Sequence, residues 1–203
     1  LKCFIEEAHK RDINVVAFTQ TFIEHIDTMK SGSIDYYLLD YNGDRGSGLL
    51  DVCNDEVQDQ LLIYYKELVT KYNFDKVEYD IIRYPSSNLY QYLDVDVIPD
   101  TVKIVDYGYT IYSMNKFMDL YNLTGDLKEL IKTNKDVRKN WLIFKEQELI
   151  DFISNCTKEM KEINNEVLIT AAVLNNINIA KKAYLQDYEK WLNIGIVDEI
   201  EIM

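Results

Sequence analysis

The chain has 203 residues, 47% of them apolar and 28% charged, with seven glycines and two prolines, a composition of one packed domain rather than a disordered or linker-rich chain. Twenty-two lysines and arginines stand against 35 aspartates and glutamates, a formal charge of −13. Phosphate backbones and anionic lipid surfaces repel such a chain, no run reaches the ~18 apolar residues that span a bilayer, and a neutral or cationic partner such as a glycan stays open.

In chain order, the first twelve residues place Leu1, Phe4, Ile5 and Ala8 on one helical face, and a β-branched run from Ile13 to Phe18 reads as a buried strand. Asn54 caps a predicted helix from Asp55 to Tyr72, followed by a strand at Lys76–Ile82. A helix over Trp141–Ile163 precedes a strand at Val167–Val173. One further helix carries Ala180, Tyr184, Tyr188 and Trp191 on one side, and Ile196–Met203 reads as the last strand. Four helix–strand units predict a parallel α/β architecture in a single domain over residues 1–203. Helix-to-strand links are short, whereas the strand-to-helix links from Thr19 to about Cys53 and from Ser86 to about Asn140 are long. The second holds helical pieces near Asn115–Tyr121 and Gly125–Ile131, so it reads as an ordered insertion over about 86–140. Such links gather at the carboxyl ends of parallel strands, which is where ligands bind.

Cys3, Cys53 and Cys156 are too scattered for a disulfide framework, and they fit a secreted or cell-surface bacterial protein as well as a cytosolic one. His9 and His25 are the only imidazoles, which leaves no multi-histidine metal centre. No glycine-rich phosphate loop follows a strand, so neither metal nor cofactor is expected. His9 is expected in solvent, and His25 is a candidate to face the cleft. Sixteen tyrosines predict amphipathic rim positions or a cleft lined with rings.

The segment Val77-Glu78-Tyr79-Asp80-Ile81-Ile82-Arg83-Tyr84-Pro85 concentrates the chemistry. Alternation sends Glu78 and Asp80 to one face and Val77, Tyr79 and Ile81 to the other. Two inward carboxylates need a partner there, and Arg83 is at hand. The spacing supports an ion pair that fixes the loop as well as it supports catalysis.

This segment resembles the Asp-x-Ile-Arg-Tyr-Pro signature of the bacterial glycosyl-hydrolase-like proteins, a glycoside hydrolase family with a TIM-barrel fold. Three other stretches agree in order. Ile5-Glu6-Glu7-Ala8-His9-Lys10-Arg11, running into Val15-Val16-Ala17-Phe18, is similar to a family helix and the strand after it, with Asp12 in place of Gly. Asp51-Val52-Cys53-Asn54-Asp55-Glu56-Val57 is similar to its next helix start, with both prolines absent. Val197 to Met203 is similar to a later strand, with Ile202 in place of Pro. The resemblance implies a parallel (β/α) TIM-barrel-type fold. The four units match the middle of an eight-stranded barrel, so a partial barrel or internal fragment is expected, with exposed edges open to self-association. The start at Leu1 agrees with a piece of a longer chain.

The function so implied is glycoside hydrolysis by carboxylate acid/base catalysis on a polysaccharide or glycan. Asp80 is the first candidate carboxyl, and Glu201 on the last strand the second. Glu78, Arg83, Tyr84, Gln20 and Asn175 are expected to bind sugar hydroxyls. The alternative is a glycan-binding or scaffold barrel without a second carboxylate.

Overall fold

A computed structural model of the chain describes residues 1–23, 36–45 and 48–203. The described elements are, in order, α1 (Lys2–His9), β1 (Val16–Gln20), α2 (Asp55–Lys71), β2 (Lys76–Asp80), α3 (Ile111–Leu120), α4 (Leu127–Thr133), α5 (Lys135–Ile163), β3 (Leu168–Val173), α6 (Ile177–Tyr184), α7 (Tyr188–Asn193) and β4 (Glu199–Ile202), with a short 3-10 turn at Leu89–Tyr92. The four strands form one parallel sheet in the order β1-β2-β3-β4, each linked to the next through helix. This is the expected α/β architecture of barrel-type units.

Alternation explains the layers. Ala17, Thr19, Val77, Tyr79, Ile169, Ala171 and Val173 are buried on one face of the sheet, against α2 and α5. The helices meet it with Val57, Leu61, Tyr65, Ile153, Cys156 and Met160. Tyr65 and Tyr79 pack edge to face at 5.0 Å, and the Tyr65 hydroxyl donates to Thr21 at 2.9 Å. Several tyrosines therefore pack into the core instead of the rim or cleft, and the hydroxyls of Tyr65, Tyr79 and Tyr109 find buried partners there. The opposite face exposes Phe18 by 58% and Val16 by 39%.

An aspartate repeats at the amino end of the sheet. Asp75, just before β2, accepts from the Val15 N–H at 2.6 Å, and Asp198, just before β4, accepts from the Ile169 N–H at 2.8 Å. Each carboxylate satisfies a donor at the start of the neighbouring strand. His9, expected in solvent, lies 3.0 Å from Asp75 Oδ2.

Several boundaries differ from the sequence pattern. The ladder of β1 starts at Val16, since Asp12 turns with φ 56° and Asp75 has taken the Val15 N–H. Leu1 and Phe4 are exposed, and α1 is anchored by Ile5 and Ala8. The expected single helix before β4 is two, broken where Leu185 adopts φ 55°. Ile196 and Val197 are buried ahead of β4, and the Ile196 carbonyl accepts from Thr157 at 2.9 Å.

The two long connections dock on one another at the carboxyl end of the sheet. Tyr41 N–H donates to the Asp106 carbonyl at 3.1 Å, and Gly108 N–H to the Leu39 carbonyl at 3.0 Å. Gly108 sits at φ 105° with Lys145 against it, so a side chain there meets both strain and a close contact. The insertion is fixed to α5 by Lys145, whose Nζ donates to Asp106 Oδ1 at 2.6 Å and to the Tyr107 carbonyl at 2.9 Å. Trp141 and Tyr109 donate to the other Asp106 oxygen, both at 3.2 Å. Buried Arg138 donates to the carbonyls of Tyr92, Val95, Ile131 and Lys132, gathering the 3-10 turn and the end of α4. No helix among the described residues is long and apolar enough to cross a membrane.

Candidate active site

The strand register assembles four of the expected site residues on the open face. Gln20 pairs with Asp80 across β1 and β2, so their side chains stand side by side. Glu78 is level with Thr170 on β3, and Ala172 is level with Glu201 on β4. The β2–β3 register runs to Tyr79 and Ala171, which brings Asp80 level with Ala172 one residue further on. Asp80 and Glu201 therefore flank the methyl group of Ala172. The small side chains of Thr170 and Ala172 leave the volume above β3 to the carboxylates.

Asp80 is 9% exposed and its carboxylate has no hydrogen-bond donor among the described residues. Glu78 is buried one layer deeper. Burial pushes its carboxyl above the usual range, and the charges of Glu201 and Asp80 push in the same direction. At the lower end of the same face Lys76 and Glu199 form an ion pair that reaches across β3.

The backbone leaves β2 abruptly. Ile81 has φ 53°, a left-handed conformation that is an outlier for a β-branched residue. The strand thus ends at Asp80, not Ile82, and Ile81 does not continue the helix-facing series of Val77 and Tyr79. The Asp80 carbonyl accepts from Thr21 N–H at 2.8 Å, tying the ends of β1 and β2 together. Backbone strain is thus concentrated directly beside Asp80.

The turn carries Arg83 and Tyr84 away from the carboxylates. Arg83 makes no ion pair with Asp80 or Glu78; its guanidinium lies 5.9 Å from the centre of the Tyr184 ring. One of its terminal nitrogens, Nη1, is shielded from water and has no acceptor among the described residues. Tyr84 is 2% exposed, with its hydroxyl 3.5 Å from Cys53 Sγ, which is a core position and not a cleft wall. Asn175 is exposed in the bend after β3, at the same end of the sheet but outside the carboxylate cluster. His25 lies outside the described residues.

The sequence pattern passes over two buried polar residues. Gln186 is fully buried between α6 and α7, where it donates to the Ala172 carbonyl at 3.1 Å and accepts from the Leu174 N–H at 3.0 Å. Its side chain takes the place of β2, which has already turned away. Asp51 is fully buried where the first long connection meets α3, accepting from Thr110, from Ser113 at 2.9 Å and from Cys53 N–H at 3.0 Å. Burial drives its carboxyl upward against those donors. Asp51 begins the helix-start segment quoted above, but nothing in its spacing marks it as buried.

No protein-family model and no curated protein sequence matches the chain. Among solved structures, the chain is similar to the glycoside hydrolase domain of PgaB (BpsB) from Bordetella bronchiseptica, with 14% identity and a TM-score of 0.61 over 97% of this chain and 52% of that one. It is also similar to the catalytic domain of beta-amylase from Paenibacillus polymyxa, with 13% identity and a TM-score of 0.60 over 98% of this chain and 62% of the other. The chain therefore spans just over half the length of these two domains, and the likeness establishes a shared fold.

Proposed function

We propose that the chain carries the carboxylate face of a glycoside hydrolase, acting on a glycan. The observation that supports this most directly is the register that sets Asp80 and Glu201 on either side of Ala172. Two strand spacings of ~4.8 Å put their Cα atoms ~10 Å apart, and an Asp and a Glu leaning together close this to the ~5–9.5 Å that flanks a glycosidic bond. Asp80, at the strand's carboxyl end, donates a proton to the leaving oxygen. Glu201 acts on the opposite side, as nucleophile or as base toward water. Glu78, whose carboxyl is pushed upward by burial first and then by the charges of Glu201 and Asp80, stands one layer below them. Gln20 offers an amide to a sugar hydroxyl beside Asp80. The fold shared with two glycoside hydrolase-type domains is consistent with this assignment.

The test is release of reducing ends from a panel of neutral and amino-sugar polysaccharides. Asp80→Asn and Glu201→Gln are each expected to lower turnover at least ~100-fold, the usual contribution of a positioned acid or base. Turnover that survives Asp80→Asn removes the assignment of the acid. Binding of a glycan without any turnover by the unmodified protein favours the alternative, a glycan-binding barrel face.

A further inference from the structure

A hollow of about 430 Å³ opens beside the turn that follows Asp80. It is lined by Ser87, Asn88, Tyr90, Gln91, Lys182 and Ala183. Two backbone hydrogen bonds build its wall: Tyr84 N–H donates to the Tyr184 carbonyl and Ser87 N–H to the Ala183 carbonyl, both at 3.0 Å. The hollow is thus held between the β2 turn and α6, at the same end of the sheet as the carboxylates. Asn88 is committed to structure, donating to the Lys103 carbonyl at 2.8 Å and accepting from Val105 N–H at 2.9 Å. Tyr90 presents a partly exposed ring. Gln91 and Lys182 are exposed, and Lys182 has no ion-pair partner among the described residues. In a chain of charge −13, where its neighbour Lys181 is paired to both Asp187 and Glu189, an unpaired lysine facing a hollow is a free donor.

We propose that this hollow is a subsite for a neutral pyranose unit of the same glycan, away from the bond that Asp80 addresses; the proposal rests on the glycoside hydrolase reading above. The chemistry is that of sugar recognition. Tyr90 offers a flat apolar surface with a polar edge, and Gln91 and Lys182 donate to hydroxyl or acetamido oxygens. A polyanionic glycan is disfavoured by the field of the whole chain.

The experiment is calorimetric titration of the Asp80→Asn protein with cello- and chito-oligosaccharides of two to six units, so that binding is read without turnover. Affinity is expected to rise with length, and the double variant Gln91→Ala/Lys182→Ala to lose about tenfold on the hexamer while the dimer is unchanged; one or two hydrogen bonds supply such a factor. Both positions are exposed, so the double variant is expected to unfold at the same denaturant concentration as its parent. Equal affinity of parent and double variant for every oligomer overturns the subsite and leaves the hydrolase reading in place. Failure of every oligomer to bind the parent, with no turnover by the unmodified protein, overturns both.

Discussion

At Ile81 a single backbone angle decides where β2 ends. A β-branched residue at φ 53° is held against a cost of ~1–2 kcal/mol, and what it provides is an end to β2 with Asp80 still on the open face. This inverts the usual order of substitutions. Ile81 is only half-buried, so most of the difference between Ala and Gly at this position is conformational. Ile81→Gly is expected to be more stable than Ile81→Ala by about 1 kcal/mol in urea denaturation, although Gly weakens ordinary strand positions. An Ala variant as stable as the Gly variant rules out strain at this turn.

Among the elements, β3 has the least conspicuous sequence and the most demanding position. Its inward residues, Thr170 and Ala172, are small where the neighbouring strands carry Glu78 and Glu201, and its last peptide groups lack a strand partner once β2 has turned away. Gln186 fills that gap from the break between α6 and α7. Gln186→Ala leaves a carbonyl and an N–H in a buried place without partners, and is expected to lower stability by about 2 kcal/mol. It also loosens the strand that separates Asp80 from Glu201. Urea denaturation checks the first effect, and a loss below ~0.5 kcal/mol contradicts the role given to Gln186.

The alternation of helix and strand, the inward pair Glu78 and Asp80, and the long links at the carboxyl ends were legible because each is a local pattern with a period. The helix break was not legible, since Leu185 in a left-handed conformation has no sequence mark comparable to glycine. The partner of Arg83 was not legible either. Proximity in sequence favoured Asp80, and the turn at Ile81 redirected the side chain toward Tyr184. Gln186 and Asp51 act on residues distant in the chain, so neither stands out in a one-dimensional pattern.

Across the whole molecule, carboxyl groups pull stability in opposite directions as pH changes. Asp75 is partly buried, which alone would raise its pKa, but the Val15 N–H and His9 outweigh burial and hold it below the usual carboxylate range. Its contribution is complete above the unfolded value near ~4 and is lost as pH falls through the lower folded value. Asp51, Glu78 and Glu148 are displaced upward, burial being the first cause for each. For these the folded state holds the proton more tightly than the unfolded chain. Their contribution is complete below ~4 and declines as pH rises toward the folded values. The repulsion within a chain of charge −13 grows over the same interval as carboxyls ionise. The sum predicts a protein more stable near pH 5 than at pH 7, with an acid limb below pH 4 to which Asp75 contributes. Urea midpoints at pH 3.5, 5 and 7 measure this profile. Asp75→Asn is expected to flatten the acid limb. The difference in stability between Asp51→Asn and the unmodified protein is expected to shift in favour of the variant as pH rises from 5 to 7. A midpoint at pH 7 above that at pH 5, unchanged in slope by Asp51→Asn, shows that the buried carboxyls and the net charge do not set the profile.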